Sequence, residues 1–278
     1  MELQMLKSSI TIMIPVFFAS LGGLFPALGG TLNIALEGLL LAGAFSSLSV
    51  YYFSGSVIMA VLSAIISAMT LAAIHAFGVF KLKTNLFIAG IAINLFSGGL
   101  CIVLSDKIFN TKGVVSLSSA VNSAPGIVKW YIIAGIILLF LSWLVIYKTP
   151  FGYRLRACEK NSEALLTLGI NYKFYQTSAF LISGFFCGIG GSFLSLNLGA
   201  FVPGISSGKG WIALAVIFLG MRRPFGVLAG AFIFAFAESF SNYAQGFLSI
   251  PVDFILAFPY ICALIAMIVV SLFKKIYK

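Results

Sequence analysis

FGYRLRACEKNSEALLTLGINYKFYQ, residues 151–176, is the one long polar segment in a chain that is otherwise almost continuously apolar. It lies between two hydrophobic runs, residues 128–147 and 177–198, and each run is long enough to cross a bilayer. Because positively charged loops of membrane proteins face the cytoplasm, we predict a cytoplasmic loop over residues 148–176. Five basic residues support this prediction: Lys148, Arg154, Arg156, Lys160 and Lys173.

The same segment has the pattern of a short helix. Asn161 or Ser162 is suited to cap its N-terminus, and Gly169 is suited to end it. Its predicted apolar face consists of Ala164, Leu165 and Leu168. A short helix that projects from a membrane protein into the cytoplasm indicates a docking site for a soluble partner.

The composition is that of an integral membrane protein. Of the 278 residues, 61% are hydrophobic and 9% are charged, which leaves too few polar groups to cover a soluble globule. The apolar runs last about 20 residues, as membrane-spanning α-helices require, whereas the strands of a β-barrel alternate apolar and polar residues over shorter segments. The predicted fold is therefore all-α and polytopic, with residues 1–278 forming a single transmembrane domain.

The net charge of +10 comes mainly from Lys and Arg in a few loops and at the C-terminus. That distribution is a topology signal and does not indicate nucleic-acid binding.

The first apolar run begins near Ser8 without a cleavage-site pattern, so we predict that it is a retained span. The cysteines show no CxxC spacing, so neither a metal site, a disulfide framework nor a cofactor is expected; they are Cys101, Cys158, Cys187 and Cys262.

Nine apolar segments are predicted along the chain. With nine crossings, the two termini lie on opposite sides of the membrane. A cytoplasmic C-terminus places 12 of the 17 basic residues inside, so the positive-inside rule predicts an N-out, C-in topology. The segments are residues 8–28, 31–53, 57–80, 84–104, 128–147, 177–198, 209–220, 224–243 and 253–273.

Two regions are unusual for simple spans. Residues 21–43, LGGLFPALGGTLNIALEGLLLAG, combine several glycines with Pro26, Asn33 and Glu37, and residues 209–220 are too short to cross. We therefore expect broken or re-entrant helices there, which membranes tolerate only where protein or a water-filled cavity covers the backbone. Paired discontinuities of this kind point to the substrate path of a transporter.

Polar side chains in or beside the apolar runs are candidates for that path. A carboxylate at mid-bilayer costs at least about 2.5–3.5 kcal/mol, so Glu37 and Glu238 should be solvated, partnered or protonated. Asn33 and Asn242 each lie four residues from one of these carboxylates, on the same helix face. Two roles stay open, namely bonding to neighbouring helices or freed backbone, and direct contact with substrate. The complete candidate set is Asn33, Glu37, Asn85, Asn94, Asn197, Glu238 and Asn242.

No motif in the sequence predicts an enzyme. It contains neither a nucleotide-binding P-loop nor an HExxH metal motif. The chain is therefore not expected to hydrolyse ATP itself.

Four stretches together resemble a known family. They are NIALEGLLLAGAF at residues 33–45, TNLFIAGIAIN at 84–94, GYRLRACEKNSEALLTLGI at 152–170 and FVPGISSGKGWIALAVIFLGMRRPFGVLAGAF at 201–232. In this order they resemble the membrane permeases of ATP-binding cassette (ABC) importers. The specific resemblance is to the simple-sugar and nucleoside branch of the branched-chain amino acid and ribose-type permease superfamily, over about residues 24–240. Cys158 and Lys160 depart from the family's loop pattern, and the chain is short for the branch.

The resemblance implies a division of labour among several proteins. Two permease subunits, identical or homologous, form a path through the lipid of a bacterial cytoplasmic (inner) membrane. Cytoplasmic ATP-binding subunits power transport, and an extracytoplasmic binding protein or lipoprotein delivers a nucleoside or simple sugar. The loop at 148–176 would be the two-state coupling element. The coupling residues that the resemblance implies are Gly152, Arg154, Arg156, Ala157, Glu159, Asn161, Glu163, Ala164 and Gly169.

Other functions stay open at this point. A permease of the same class could carry riboflavin or another small polar ligand. A secondary transporter could use Glu37 or Glu238 as a proton site and would need no ATPase, and a channel or structural membrane protein is a third possibility. The predicted cytoplasmic helix disfavours the last two classes, because neither needs a docking lever.

Overall fold

Seven helices of the computed structural model, which describes residues 2–116, 126–245 and 261, are long and apolar enough to cross a membrane. Each contains 19 to 27 residues, in line with the roughly 20 that a bilayer requires. They are α1 (Glu2–Leu28), α2 (Leu36–Ser54), α3 (Val57–Phe80), α4 (Leu86–Phe109), α5 (Ile127–Lys148), α8 (Tyr172–Leu198) and α10 (Pro224–Ala244).

Three shorter helices and two short strands complete the described part of the chain. They are α6 (Pro150–Lys160), α7 (Ser162–Thr167) and α9 (Lys209–Leu219), with β1 (Val115–Ser116) paired antiparallel to β2 (Ala200–Phe201). At 1.5 Å per residue α9 is about 16 Å long, roughly half of the hydrocarbon thickness.

The polytopic all-α prediction is confirmed at this level. Eight of the nine predicted segments fall on described residues, seven of them as spanning helices and residues 209–220 as the short helix α9. The ninth segment, 253–273, lies outside the described residues except for Ile261, and Cys262 lies outside them as well. The count of nine and the N-out, C-in orientation therefore stay predictions.

α1 and α8 form the centre of the bundle. In both helices about four-fifths of the spanning window is buried, whereas α3, α4 and α5 present most of their apolar side chains outward. The helices approach closely where glycines replace larger residues. A Cβ atom at Gly188 would lie 2.6 Å from the Ile65 Cα atom on α3, so this glycine lets the backbones of α8 and α3 approach closely.

Basic residues gather at one end of the bundle, which we call the basic end. Arg222, in the turn between α9 and α10, forms an ion pair there with Glu159 on α6. The C-terminus of α1 lies at the same end, because Gly30 packs against Glu159. Four further cations at this end line two cavities between helices: Lys81, Lys148, Lys173 and Arg223.

The opposite end contains the small sheet, in which Val115 lies opposite Phe201. Asp106 and Lys112 form an exposed ion pair at this end. The N-terminal part of α1 is also here, because the Ser239 hydroxyl at the far end of α10 donates to the Met5 carbonyl. α1 therefore runs from this end to the basic end.

Candidate transport site

The chain between α1 and α2 is non-helical over residues 29–35, at the predicted break. Asn33 occupies this break and is fully buried. Its Oδ1 atom accepts a hydrogen bond from the Ala35 N–H at 3.1 Å, and its Nδ2 atom donates to the Ser183 hydroxyl on α8 at 2.9 Å. Asn33 thus satisfies one backbone N–H of the break and links the break to α8.

His75 on α3 belongs to the same buried cluster. Its Nδ1 atom lies 3.1 Å from Asn33 Oδ1. Because Oδ1 can only accept, the hydrogen-bond network assigns the proton to Nδ1. The side chain is 1% exposed, and its ring packs edge-on against Phe180 on α8.

Asn94 on α4 holds the start of α2 from the other side. Its Oδ1 atom accepts from the Gly38 N–H at 2.7 Å, and its Nδ2 atom donates to the Ile34 carbonyl at 2.9 Å. The Ser97 hydroxyl, one turn further along, donates to the Gly38 carbonyl at 2.6 Å. The Gly38 N–H is one of the donors that the first turn of a helix leaves unsatisfied, so Asn94 caps α2 from a neighbouring helix.

Glu37 joins α2 to the half-length helix α9. Its Oε1 atom accepts from the Ser206 hydroxyl at 2.6 Å and from the Gly208 N–H at 2.8 Å, and its Oε2 atom accepts from the Gly210 N–H at 2.7 Å. Gly208 is the N-cap of α9 and has no side chain to offer. The carboxylate therefore caps α9 in place of a local residue and complements its dipole.

These contacts lie well inside the bundle. Asn94 is nine residues beyond Asn85, which begins α4 near the basic end, so Asn94 sits about 14 Å above that end. The N-terminus of α9 lies at a similar depth, because it is about 16 Å from the C-terminus of this helix, which adjoins the basic end. The two predicted discontinuities, before α2 and before α9, therefore meet at Glu37.

The remaining path candidates lie apart from this cluster. Asn85 is exposed and caps α4, because its Oδ1 atom accepts from the Phe87 and Ile88 N–H groups. Asn197 is half-buried in the last turn of α8, and Asn242 is exposed near the end of α10. The Oε2 atom of Glu238 is buried without a hydrogen-bond partner among the described residues, with the Lys209 ammonium acting on it electrostatically. Direct contact of these groups with a substrate stays a prediction.

The polar segment at residues 151–176 contains two short helices, where the sequence pattern predicted one. α6 begins at Pro150, and the Thr149 hydroxyl accepts from the Gly152 N–H to cap it. Its inner face is Leu155, fully buried, and Cys158, which is 5% exposed. Pro at the first helical position after a Thr N-cap is a recognised helix start, so the signal for α6 was present in the sequence.

The predicted helix α7 is confirmed in its bounds and differs in its apolar face. The Asn161 side chain caps it through the Ala164 N–H at 3.0 Å, and Gly169 follows it with φ +72°. Leu165 is buried, but Ala164 is exposed and Leu168 is 73% exposed. Leu166 is 54% exposed, so Leu166 on α7 and Leu168 just after it do not pack against the rest of the chain.

The other residues that the resemblance assigns to coupling lie on α6 and α7. The Arg154 guanidinium donates to the Tyr175 hydroxyl at 2.8 Å, and that of Arg156 lies 4.9 Å from the centre of the Tyr147 ring. The Ala157 carbonyl accepts from the Asn161 N–H, and Glu163 is exposed in the first turn of α7.

Within the described ranges, no three His, Cys, Asp or Glu side chains come together as a metal site.

Comparison with known proteins gives this arrangement a family. A guanosine ABC transporter permease, NupQ of Bacillus subtilis strain 168, is 30% identical over 91% of this chain and 87% of its own length. A nucleoside ABC transporter permease, NupC of Lactococcus lactis, is 29% identical over the same shares. A putative glucose ABC transporter permease, TsgC13 of Haloferax volcanii, is 27% identical over 90% of this chain and 80% of its own length.

A solved structure shares the fold. The PsaBC complex from Streptococcus pneumoniae, determined with a Fab, matches with a TM-score of 0.56 at 13% identity, over 93% of this chain and 89% of that one. The family model described as the permease component of the branched-chain amino acid transport system matches residues 5–273, and the chain belongs to this family of ABC transporter permeases.

Proposed function

We propose that this chain is the permease subunit of an ATP-driven importer that translocates a nucleoside. The similarity over 91% of the chain to the B. subtilis guanosine permease carries this proposal. A simple sugar is the second candidate, favoured by the similarity to the putative H. volcanii glucose permease. An extracytoplasmic binding protein delivers the substrate, and a second permease subunit completes the path across a bacterial cytoplasmic membrane.

The cytoplasmic ATPase subunits dock at α6 and α7 in this proposal. Leu166 and the charged Glu163 on α7, with Leu168 just after it, are exposed and together suit a mixed apolar and polar groove. α6 is packed against the bundle through Leu155. When α6 and α7 move together with the docked ATPase, their movement is therefore transmitted to the bundle.

The cluster of Asn33, Glu37 and Asn94 holds the wall of the path in this proposal. All three side chains have their hydrogen-bonding atoms directed at interrupted backbone or at neighbouring helices. Their role is to position α2 and α9 beside the path.

Uptake by the assembled importer tests the function. Cells that express the permease with its ATPase, its second permease and its binding protein should accumulate radiolabelled guanosine, and unlabelled adenosine should compete. The matched control contains an ATPase subunit that binds but cannot hydrolyse ATP, and it should abolish uptake.

Other outcomes assign other functions. Accumulation of glucose or riboflavin in place of nucleosides would replace the substrate assignment. Uptake that persists with the inactive ATPase and collapses with the proton gradient would show a secondary transporter.

A further inference from the structure

A cavity of about 1000 Å³ opens between the end of α5 and the start of α10 at the basic end. Its mouth carries two cations, Lys148 at the last position of α5 and Arg223 just before α10, and both are exposed. Among the described residues, no Asp or Glu lines the cavity and neither cation forms an ion pair. The only acidic group on α6 near this turn, Glu159, is already paired with Arg222.

The cavity changes character with depth. Beyond the two cations, its walls are Trp143 on α5 and the small residues Gly226, Ala229 and Gly230 on α10, ending at Ile233. Ten residues of α10 separate Arg223 from Ile233, which is about 15 Å along the helix, the depth of one bilayer leaflet. An amphipathic molecule with an anionic head and an acyl chain matches both parts of this cavity.

From this geometry we propose a binding site for an anionic phospholipid between α5 and α10. Lys148 and Arg223 bind the phosphate, and the channel along Gly226, Ala229 and Gly230 holds one acyl chain against Trp143. Basic pockets between transmembrane helices at a membrane surface bind anionic headgroups in this way. Trp143 and Tyr147 lie at the depth where amphipathic aromatic rings anchor membrane proteins.

The depth of the channel argues for a lipid over a free anion or a soluble protein. A free phosphate would occupy only the mouth and leave the apolar channel empty. A soluble protein cannot reach 15 Å below the headgroups. The proposal is independent of which nucleoside or sugar is transported and of the membrane orientation.

Quenching of Trp143 fluorescence by brominated lipids tests the site. The assembled transporter, with Trp130→Phe and Trp211→Phe in this chain and the tryptophans of the partner subunits replaced, is reconstituted in nanodiscs. Phosphatidylglycerol or phosphatidylcholine with brominated acyl chains is then titrated in. We expect phosphatidylglycerol to bind near Trp143 with a preference of roughly tenfold, since each basic residue near the surface contributes several-fold.

The matched variants separate this site from general surface charge. Lys148→Gln with Arg223→Gln should reduce the preference to near unity. Lys83→Gln with Lys160→Gln removes the same charge at the same end from residues that line neither described cavity, and it should leave the preference intact.

Three results would overturn the proposal. Equal quenching by both lipids would show ordinary annular contact. Binding of inorganic phosphate that requires Lys148 and Arg223, without preferential quenching by phosphatidylglycerol, would show an anion site without an acyl chain. Absence of quenching by either lipid would show that protein, such as the second permease subunit, fills the cavity.

Discussion

At the scale of single residues, Glu37 shows how a carboxylate is accommodated inside an apolar bundle. Three donors from the loop before α9 and its first turn surround it, and two of them are backbone N–H groups that α9 cannot satisfy itself. The carboxylate and the helix terminus therefore satisfy each other. If either one is removed, the other is left buried without a hydrogen bond, which costs free energy.

Substitution of Glu37 separates its charge from its hydrogen bonds. Glu37→Gln keeps one acceptor oxygen but turns an NH₂ group toward one N–H of α9, so uptake should fall only partly and without a new pH dependence. Glu37→Leu leaves three donors unsatisfied at about 1–3 kcal/mol each and should abolish uptake and lower the unfolding temperature. The measurement is the initial rate of uptake across pH. Ser206→Ala is the control, because it removes a single donor to Glu37. Abolition of uptake by Glu37→Gln in an assembled complex would favour a proton-carrying role.

Cys158 should be a slowly reacting thiol despite its place in the polar segment. Burial raises the pKa of the Cys158 thiol, so at neutral pH a smaller fraction is the reactive thiolate than at an exposed cysteine. In opened membranes, maleimide labelling of Cys158 should be much slower than that of an exposed Glu163→Cys variant. Its rate should keep rising at pH values where the exposed thiol has levelled off. Equal rates at both positions would show that α6 does not pack as described.

At the scale of elements, α7 is the simplest place to separate docking from folding. Ala164 is exposed, so Ala164→Glu should leave the permease inserted and folded while weakening binding of the ATPase. Gly169→Val places a β-branched residue at φ +72° and should distort the end of α7 to the same functional effect. Co-purification of the ATPase and the ratio of uptake to ATP hydrolysis are the measurements. Normal values for both variants would remove the coupling assignment from this helix.

The ion pair between Glu159 and Arg222 connects α6 to the turn that follows α9. Both side chains are more than a third exposed, so the pair should add less than about 1 kcal/mol to stability. Loss of this ion pair should instead weaken the coupling between ATP hydrolysis and uptake, because Glu37 fixes the other end of α9. We expect Glu159→Arg and Arg222→Glu each to lower uptake several-fold at nearly unchanged unfolding temperature, and the double variant to recover part of it. A double variant no better than either single one would argue against a direct pair.

Sequence patterns predicted those elements whose signals are local. The caps of α7, the shortness of α9 and the break before α2 follow from Asn161, Gly169 and the polar residues of the break. The partners of Glu37 could not be predicted, because Ser206 and Gly208 lie about 170 residues away and two of the three donors are backbone groups. Asn94 likewise binds a backbone 56 residues distant. Periodicity carries no information on such long-range contacts.

At the scale of the whole molecule, the basic end and the sheet end should face opposite sides of the membrane. Nine of the described cations are located on α6 or at the helix ends and turns of the basic end, as the positive-inside rule requires of a cytoplasmic face. The exposed turn between α4 and β1 lies at the other end. Gly113, which is exposed in this turn, serves as the labelling position at the sheet end.

Two single-cysteine additions test this orientation. Gly113→Cys should react with an impermeant maleimide in intact cells, because an added Cβ at Gly113 meets nothing closer than 3.7 Å. Glu163→Cys, exposed on α7, should react only after the membrane is opened. The unsubstituted chain gives the background, which should be low at Cys101, Cys158 and Cys187 because all three are buried. Labelling of Glu163→Cys from outside, with Gly113→Cys protected, would invert the orientation. It would also place α6 and α7 on the side where no ATP is available to a docked ATPase.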